Sequence, residues 1–176
     1  MKELIKRFEI NVDEFMKLKN IGGHSIYHLE GDALEHTRLV WIAASNLTNS
    51  KRFQKLALLH DIGKIYTSIE KSPGNWEYPD HSTCGSFRGI LAKFIPQNDP
   101  DFVNYQWLIK NHIKPLFWRE KGVNTDDTGI DVSKLDKDFA NLYTLKLLAI
   151  CDLLGSKAKD EDAKAKLIDY IDSLKV

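Results

Sequence analysis

Apolar residues along this chain recur at three- and four-residue steps rather than at every second position, a period that predicts helices. Residues 2–19 place Ile5, Phe8, Val12 and Phe15 on one face with lysines and glutamates between them, as in an amphipathic helix packed on the outside of the domain. Asn20-Ile21-Gly22-Gly23 breaks that pattern, and a polar loop runs through His24 and His28 to Gly31. Asp32 is placed to cap the next helix, about 32–48, with Glu35 three residues on as in a capping box. Its apolar stripe reads His36, Leu39, Val40, Ala43 and Leu47, so His36 is the one large polar member.

A third helix, about 51–61, ends in the run Leu56-Ala57-Leu58-Leu59-His60-Asp61-Ile62-Gly63-Lys64. There, Gly63 is expected to let the chain turn away. Residues 66–80 hold Pro73, Gly74 and Pro79 and read as an irregular loop. His81 starts a helical pattern of about 81–95, in which Gly85 and Gly89 predict close backbone approach, and Pro96 stops it. Asp99 or Asp101 opens another helix with Val103, Leu108, Ile109 and His112 on one face, ended by Pro115. Segment 119–131 is polar and glycine-containing, and is expected to be the most mobile loop. From about 137 to 155 the chain is strongly apolar, yet Asp152 lies beside Leu145, Leu148 and Ala149. A last helix, about 160–173, carries Ala163, Leu167, Tyr170 and Ile171. No stretch alternates long enough to argue for a sheet, so the expected class is all-α, a bundle of about seven helices.

Composition narrows the function classes. A chain of 176 residues, 43% apolar and 28% charged, suits one globular domain spanning 1–176. Its 25 basic residues balance 25 acidic ones, which removes any global pull toward nucleic acid or a membrane surface; anion binding has to be local. No apolar run approaches the ~20 residues that span a bilayer, and Met1-Lys2-Glu3-Leu4 does not begin a secretory signal, so a cytoplasmic setting is expected. Cys84 and Cys151 provide no disulfide framework and read as two buried thiols.

Six polar side chains stand on core-facing positions or helix ends: His36, His60, Asp61, His81, His112 and Asp152. Burying an isolated carboxylate costs several kcal/mol unless a partner compensates it. Any one of these residues alone reads as a hydrogen-bonded core residue, whereas six on separate helices are satisfied together by shared divalent cations. Imidazole nitrogens and carboxylate oxygens suit Zn, Mn, Fe, Ni or Co better than Ca. His24 and His28, in a loop, read as solvated or as supporting the ligands from outside. Lys64 reads either as a positive charge for an anionic substrate or as a surface lysine at a helix end.

The order His36, His60-Asp61, Asp152 resembles the H…HD…D signature of the HD-domain metal-dependent phosphohydrolases. The wording is most similar to the HD domain of bacterial tRNA CCA-adding enzymes. Leu29-Glu30-Gly31-Asp32 followed by His36-Thr37 looks like their "PEGD…HT", with Leu29 in place of proline, and His60-Asp61-Ile62-Gly63-Lys64 looks like "HDxGK". His81 with Gly85, Asn111-His112-Ile113-Lys114-Pro115 and Ala149-Ile150-Cys151-Asp152-Leu153-Leu154-Gly155 complete the resemblance, which runs from about 28 to 156. No nucleotidyltransferase domain precedes it, so the expectation is a stand-alone relative of the hydrolase part.

The resemblance implies a helical bundle around a central metal site with His36, His60, Asp61 and Asp152 as core ligands. His81 and His112 would join Asp61 in holding a second ion, or contact substrate phosphate beside a single one. Catalysis would fall to Asp61, Lys64, His81 and His112, acting on a nucleotide-type phosphomonoester or phosphodiester, for example a 2′,3′-cyclic phosphate, through a metal-activated water. Lys64 would pair with a phosphate oxygen, and a lysine or histidine would give the leaving oxygen its proton. The implied partner is a small phosphorylated nucleotide or an RNA end, with no membrane and no extended nucleic-acid surface. Tyr66, Trp76, Tyr78 and Trp118 flank the ligand elements as base-stacking candidates, with core or rim packing as the other explanation; Arg88 is a candidate phosphate clamp, and Lys114 and Arg119 are candidates for steering anions, with a solvated surface position as the favoured reading of each. The competing classes are a metal-containing module that binds a nucleotide or RNA end without turnover, and a purely structural metal site.

Overall fold

The computed structural model describes residues 1–22 and 29–176. His24 and His28 lie outside the described residues. The chain runs α1 (Lys2–Arg7), α2 (Val12–Phe15), α3 (Ala33–Leu47), α4 (Lys51–Leu59), α5 (Lys64–Thr67), β1 (Ile69–Ser72), β2 (Asn75–Glu77), α6 (His81–Ser86), α7 (Arg88–Leu91), α8 (Phe102–Asn111), α9 (Trp118–Lys121), α10 (Leu142–Gly155) and α11 (Glu161–Ser173). The all-α expectation holds, with more and shorter helical pieces than the periodicity indicates.

The first expected helix is broken. Glu9 takes a left-handed conformation (φ 56°), and the Asn11 side chain caps a new start by accepting the N–H groups of Asp13 and Glu14. The apolar stripe keeps its register across the break, because Ile5, Phe8 and Phe15 are all buried. Residues 66–80 also depart from expectation. A short antiparallel hairpin forms around Pro73-Gly74, pairing Ile69 with Glu77 and Ser72 with Asn75. Gly74, at φ 77°, supplies the turn. The β1 residues are all exposed, so no buried face imposes the alternation that betrays a strand.

Helix α4 is the axis of the fold. From Phe53 to Leu59 every residue is buried, and Leu56, Ala57, Leu58 and Leu59 have no exposure at all. A helix closed on all sides delivers the residues after its last turn to the middle of the protein, and here those residues are His60-Asp61. Ser50 caps its start, while Lys55 to Asp99 (2.7 Å) and Arg52 to Asp101 and Asp136 tie its flank to the chain around α8.

Helices α3 and α10 pack along one another on one side of this axis. Asp32 caps α3 by accepting the Glu35 N–H at 2.9 Å, but the Glu35 carboxylate turns forward to Arg38 rather than back, so only half of the capping box forms. Gly155 fixes the crossing: a β-carbon there would stand 2.7 Å from the Val40 nitrogen. Three residues before it is Asp152, and four before Val40 is His36, so this one contact brings the two together. On the other side, α6 packs against α5 and α8.

The segment expected to be most mobile is instead anchored. Trp107 Nε1 donates to Asp127 Oδ1 at 2.6 Å, and Asn111 exchanges hydrogen bonds with the backbone of Asp126. Asp126 and Asp127 thus serve α8, while most of the segment faces solvent. Among the described residues no helix is long and apolar enough to cross a membrane. Cys151 is buried, whereas Cys84 is half-buried.

Candidate metal centre

The six candidate ligands are delivered by five pieces of chain. His36 comes from the first turns of α3, and His60 and Asp61 from the turn that closes α4. His81 is the first residue of α6, His112 caps the C-terminus of α8, and Asp152 lies in the last turn of α10. All six converge. His36 Nε2 is 2.9 Å from Asp152 Oδ1 and 3.5 Å from Asp61 Oδ2, and His60 Nε2 is 3.3 Å from Asp61 Oδ2. On the opposite side of Asp61, Oδ1 lies 3.3 Å from His81 Nε2 and 3.6 Å from His112 Nε2. Two ligand groups result, His36-His60-Asp152 and Asp61-His81-His112, each with its donor atoms within 4.8 Å of one another. Asp61 faces both groups, one oxygen to each.

The hydrogen bonds on the far side of each ring settle what the near side offers. His60 Nδ1 lies 2.8 Å from Ala57 O, His81 Nδ1 3.0 Å from Tyr78 O, and His112 Nδ1 2.7 Å from Ile109 O. A carbonyl only accepts, so these three Nδ1 atoms carry the hydrogen, and in its neutral form each ring points an Nε2 lone pair inward. His36 is held by a carboxylate instead, with Nδ1 2.8 Å from Glu30 Oε1. Every ring therefore has the outward support that orients a metal-binding imidazole.

These lone pairs oppose one another in a largely buried space. His81 Nε2 and His112 Nε2 are 3.3 Å apart, and His60 Nε2 is buried facing carboxylate oxygens without a hydrogen-bond donor. His36, His60, Asp61 and His112 are each 2% exposed or less. Acceptors converging on acceptors require a positive charge between them. A divalent cation fits this donor set, because imidazole nitrogen and carboxylate oxygen are the ligands that suit the first-row transition metals.

Lys64 supplies the positive charge that the chain itself offers. It is not a surface lysine. It is 4% exposed, its Nζ stands 2.6 Å from Asp61 Oδ2, and it lies 4.7 Å from the centre of the Tyr78 ring. Burial resists ionisation of Asp61, yet the Lys64 ammonium beside it holds its pKa well below the usual carboxylate range. Burial likewise opposes charge on Asp152, and His36 outweighs it, again leaving the pKa low. Burial disfavours protonated His36, but Asp152 and Glu30 overcome that and raise it to about 9. Burial pushes His112 down, and the pull of Asp61 does not restore it.

Glu30 is the residue that sequence reasoning passed over as a ligand support. Its side chain has no exposure, and its second oxygen accepts the Lys157 N–H at 2.8 Å. The signal was its place six residues before His36 in the Glu30-Gly31-Asp32 run. Other candidates fall outside the centre. Arg88 pairs with Gln97, as a solvated role implies. Trp118 is 2% exposed and donates Nε1 to Asn124 O, so it is core rather than a stacking surface. Tyr66 donates to Glu14, away from the ligands. Gly63 lies in the turn between α4 and α5 as expected, but its φ of −64° is one that any residue adopts.

Comparison with curated proteins and comparison with solved structures each return no match. The sequence model of the HD domain matches residues 33–175, which takes in every ligand candidate named above. The chain belongs to the HD domain family, whose members are metal-dependent phosphohydrolases.

Proposed function

We propose that this protein is a cytoplasmic phosphohydrolase, a single 1–176 domain acting on a nucleotide-type phosphomonoester or phosphodiester, with a 2′,3′-cyclic phosphate as one example. In this reading it is a stand-alone relative of the HD domain found in bacterial tRNA CCA-adding enzymes, and its partner is a small phosphorylated nucleotide or an RNA end. The observation that carries the reading is the division of Asp61: one oxygen faces His36 and His60, the other His81 and His112.

His36, His60, Asp61 and Asp152 would hold one divalent ion, drawn from Mn, Fe, Ni, Co or Zn, and Asp61, His81 and His112 a second. When bound, such ions lower the pKa of a water toward neutrality and offset charge growing on phosphoryl oxygens. The chain's own residues do the rest. Glu30 and the three backbone carbonyls keep all four imidazoles aimed inward. Tyr78 covers Lys64 and helps to exclude water. The Lys64 ammonium, already directed into the centre, pairs with a phosphoryl oxygen and is the protonated group nearest to a departing oxygen.

The test is to measure metal content in protein purified without chelators, then to assay a panel of phosphoesters with each divalent ion in wild type, His60→Ala and Asp61→Ala. Metal-dependent turnover lost in both variants is the expected result. Normal turnover in either variant refutes its assignment as a ligand. Folded, metal-bearing protein inert on every phosphoester identifies a binding module instead.

A further inference from the structure

The centre meets a cleft of about 1230 Å³ whose lining includes Asp152 and Tyr78, both already in contact with ligand residues or Lys64. Leu116, Phe117, Leu153, Leu167 and the start of α11 line it as well. A phosphoryl group alone needs a small fraction of that space, and small-molecule pockets generally hold roughly 300–1,000 Å³. The volume is therefore room for the rest of a substrate. Phe117 is 43% exposed and lines the cleft, whereas its neighbour Trp118 is turned into the core.

The charges around the cleft are against a second phosphate. Asp160, Glu161 and Asp162 line it beyond Asp152, opposed by Lys159 and Lys164. Lys164 is already engaged, by the Glu161 carboxylate and by Ser156 O at 2.8 Å. Carboxylates already ring the start of α11: Asp160 caps it by accepting from Ala163 at 2.8 Å, and Glu161 accepts from Ala158, in the segment before the helix, at 2.9 Å.

Building on the hydrolase reading, we infer that this cleft receives the organic part of the substrate as a flat, uncharged ring stacked on Phe117, and that the α11 carboxylates restrict the enzyme to substrates carrying one phosphoryl group. A nucleoside monophosphate fits this chemistry and a nucleoside triphosphate does not. The ring packs against Phe117 and Leu167, its hydroxyl and amino groups donate toward the carboxylates, and its single phosphate reaches the centre past Asp152.

Three probes test this on the metal-loaded protein. Adenosine, which has no phosphate to hydrolyse, is titrated calorimetrically. Adenosine 5′-monophosphate and 5′-triphosphate are compared by kcat/KM, with phenyl phosphate as a small reference ester. Adenosine is expected to bind, Phe117→Ala to weaken it about tenfold, and Phe117→Trp to restore it. The monophosphate is expected to exceed the triphosphate, and Asp162→Lys to narrow that ratio several-fold. Absent adenosine binding with phenyl phosphate turned over as well as the monophosphate overturns the inference and leaves the hydrolase standing. Preference for the triphosphate also overturns it. Phe117-dependent adenosine binding without turnover of any ester sinks the hydrolase reading and keeps the cleft assignment.

Discussion

Gly63 lies directly against the backbone carbonyl of His81: a β-carbon on Gly63 would stand 1.9 Å from that oxygen and 2.7 Å from the Gly85 nitrogen. Both neighbours are backbone, so no side chain can swing aside. The glycine is there because two helix ends meet face to face, Lys64 onward from one and His81 onward from the other, and the meeting brings Asp61 and His81 to one centre. Gly63→Ala is expected to lower stability by about 3 kcal/mol or more. The protein that still folds should lose the second ligand group before the first, because His81 moves and His36 does not. Denaturant unfolding together with metal stoichiometry checks this; an alanine variant of wild-type stability would disprove the close approach.

The outward support of His36 differs in kind from that of the other three rings. A carboxylate that accepts from Nδ1–H makes the imidazole a better electron donor than a carbonyl does, and it holds the ring at the same time. Glu30→Gln keeps the shape of the side chain and removes its charge. Metal affinity is expected to fall about 10- to 100-fold with little change in fold. Calorimetric titration of the metal into both proteins decides it, and equal affinities would show that Glu30 has no part in the centre.

The helices that carry ligands were legible because burial imposed a period on them. His36 on an apolar stripe and Asp152 among Leu145, Leu148 and Ala149 are polar residues where the pattern demands apolar ones, so the sequence marks them out. Glu30 was not visible in this way, since it precedes the α3 cap and belongs to no periodic face. The hairpin at 69–77 escaped for a similar reason: its first strand is wholly exposed and its solvent face is indistinguishable from a loop. Trp118 and Phe117 show a further limit. Periodicity identifies a helical face to within one residue, and the short turn at Lys114–Phe117 shifts the phase, so the larger ring goes inward and the smaller one lines the cleft.

Lys64 and an ion near Asp61 carry the same sign of charge. Removing the ammonium is therefore expected to raise metal affinity while lowering turnover, whereas Glu30→Gln lowers metal affinity. In Lys64→Met the metal-free protein should also be less stable by about 3 kcal/mol, because a buried carboxylate loses a close countercharge. Added metal should recover most of that loss, since it binds the folded state. Thermal melts with and without metal, set beside kcat, separate the effects. Weaker metal binding in Lys64→Met would contradict the assignment of Lys64 as a competing charge.

The raised pKa of His36 sets how the centre responds to pH. With the folded value near 9 against an ordinary 6.5, protonated His36 contributes stability to the metal-free protein that is fully present below pH 6.5 and lost as pH rises through 9. The shift corresponds to roughly 3 kcal/mol. Asp61 and Asp152 act in the opposite sense: their depressed pKa values give stability present above the ordinary carboxylate range and lost in acid. Metal-free protein should therefore be most stable between about pH 4 and 6.5 and should soften steadily toward pH 9. A metal ion on His36 Nε2 has to displace that proton, so apparent metal affinity should rise about tenfold per pH unit over the same interval and level off above it. Titrations in buffers of differing ionisation enthalpy should find about one proton released near neutral pH for the ion that His36 holds. Metal-free protein that gains stability from pH 7 to 9, or metal uptake without proton release, would show that the proton on His36 is not held between Asp152 and Glu30.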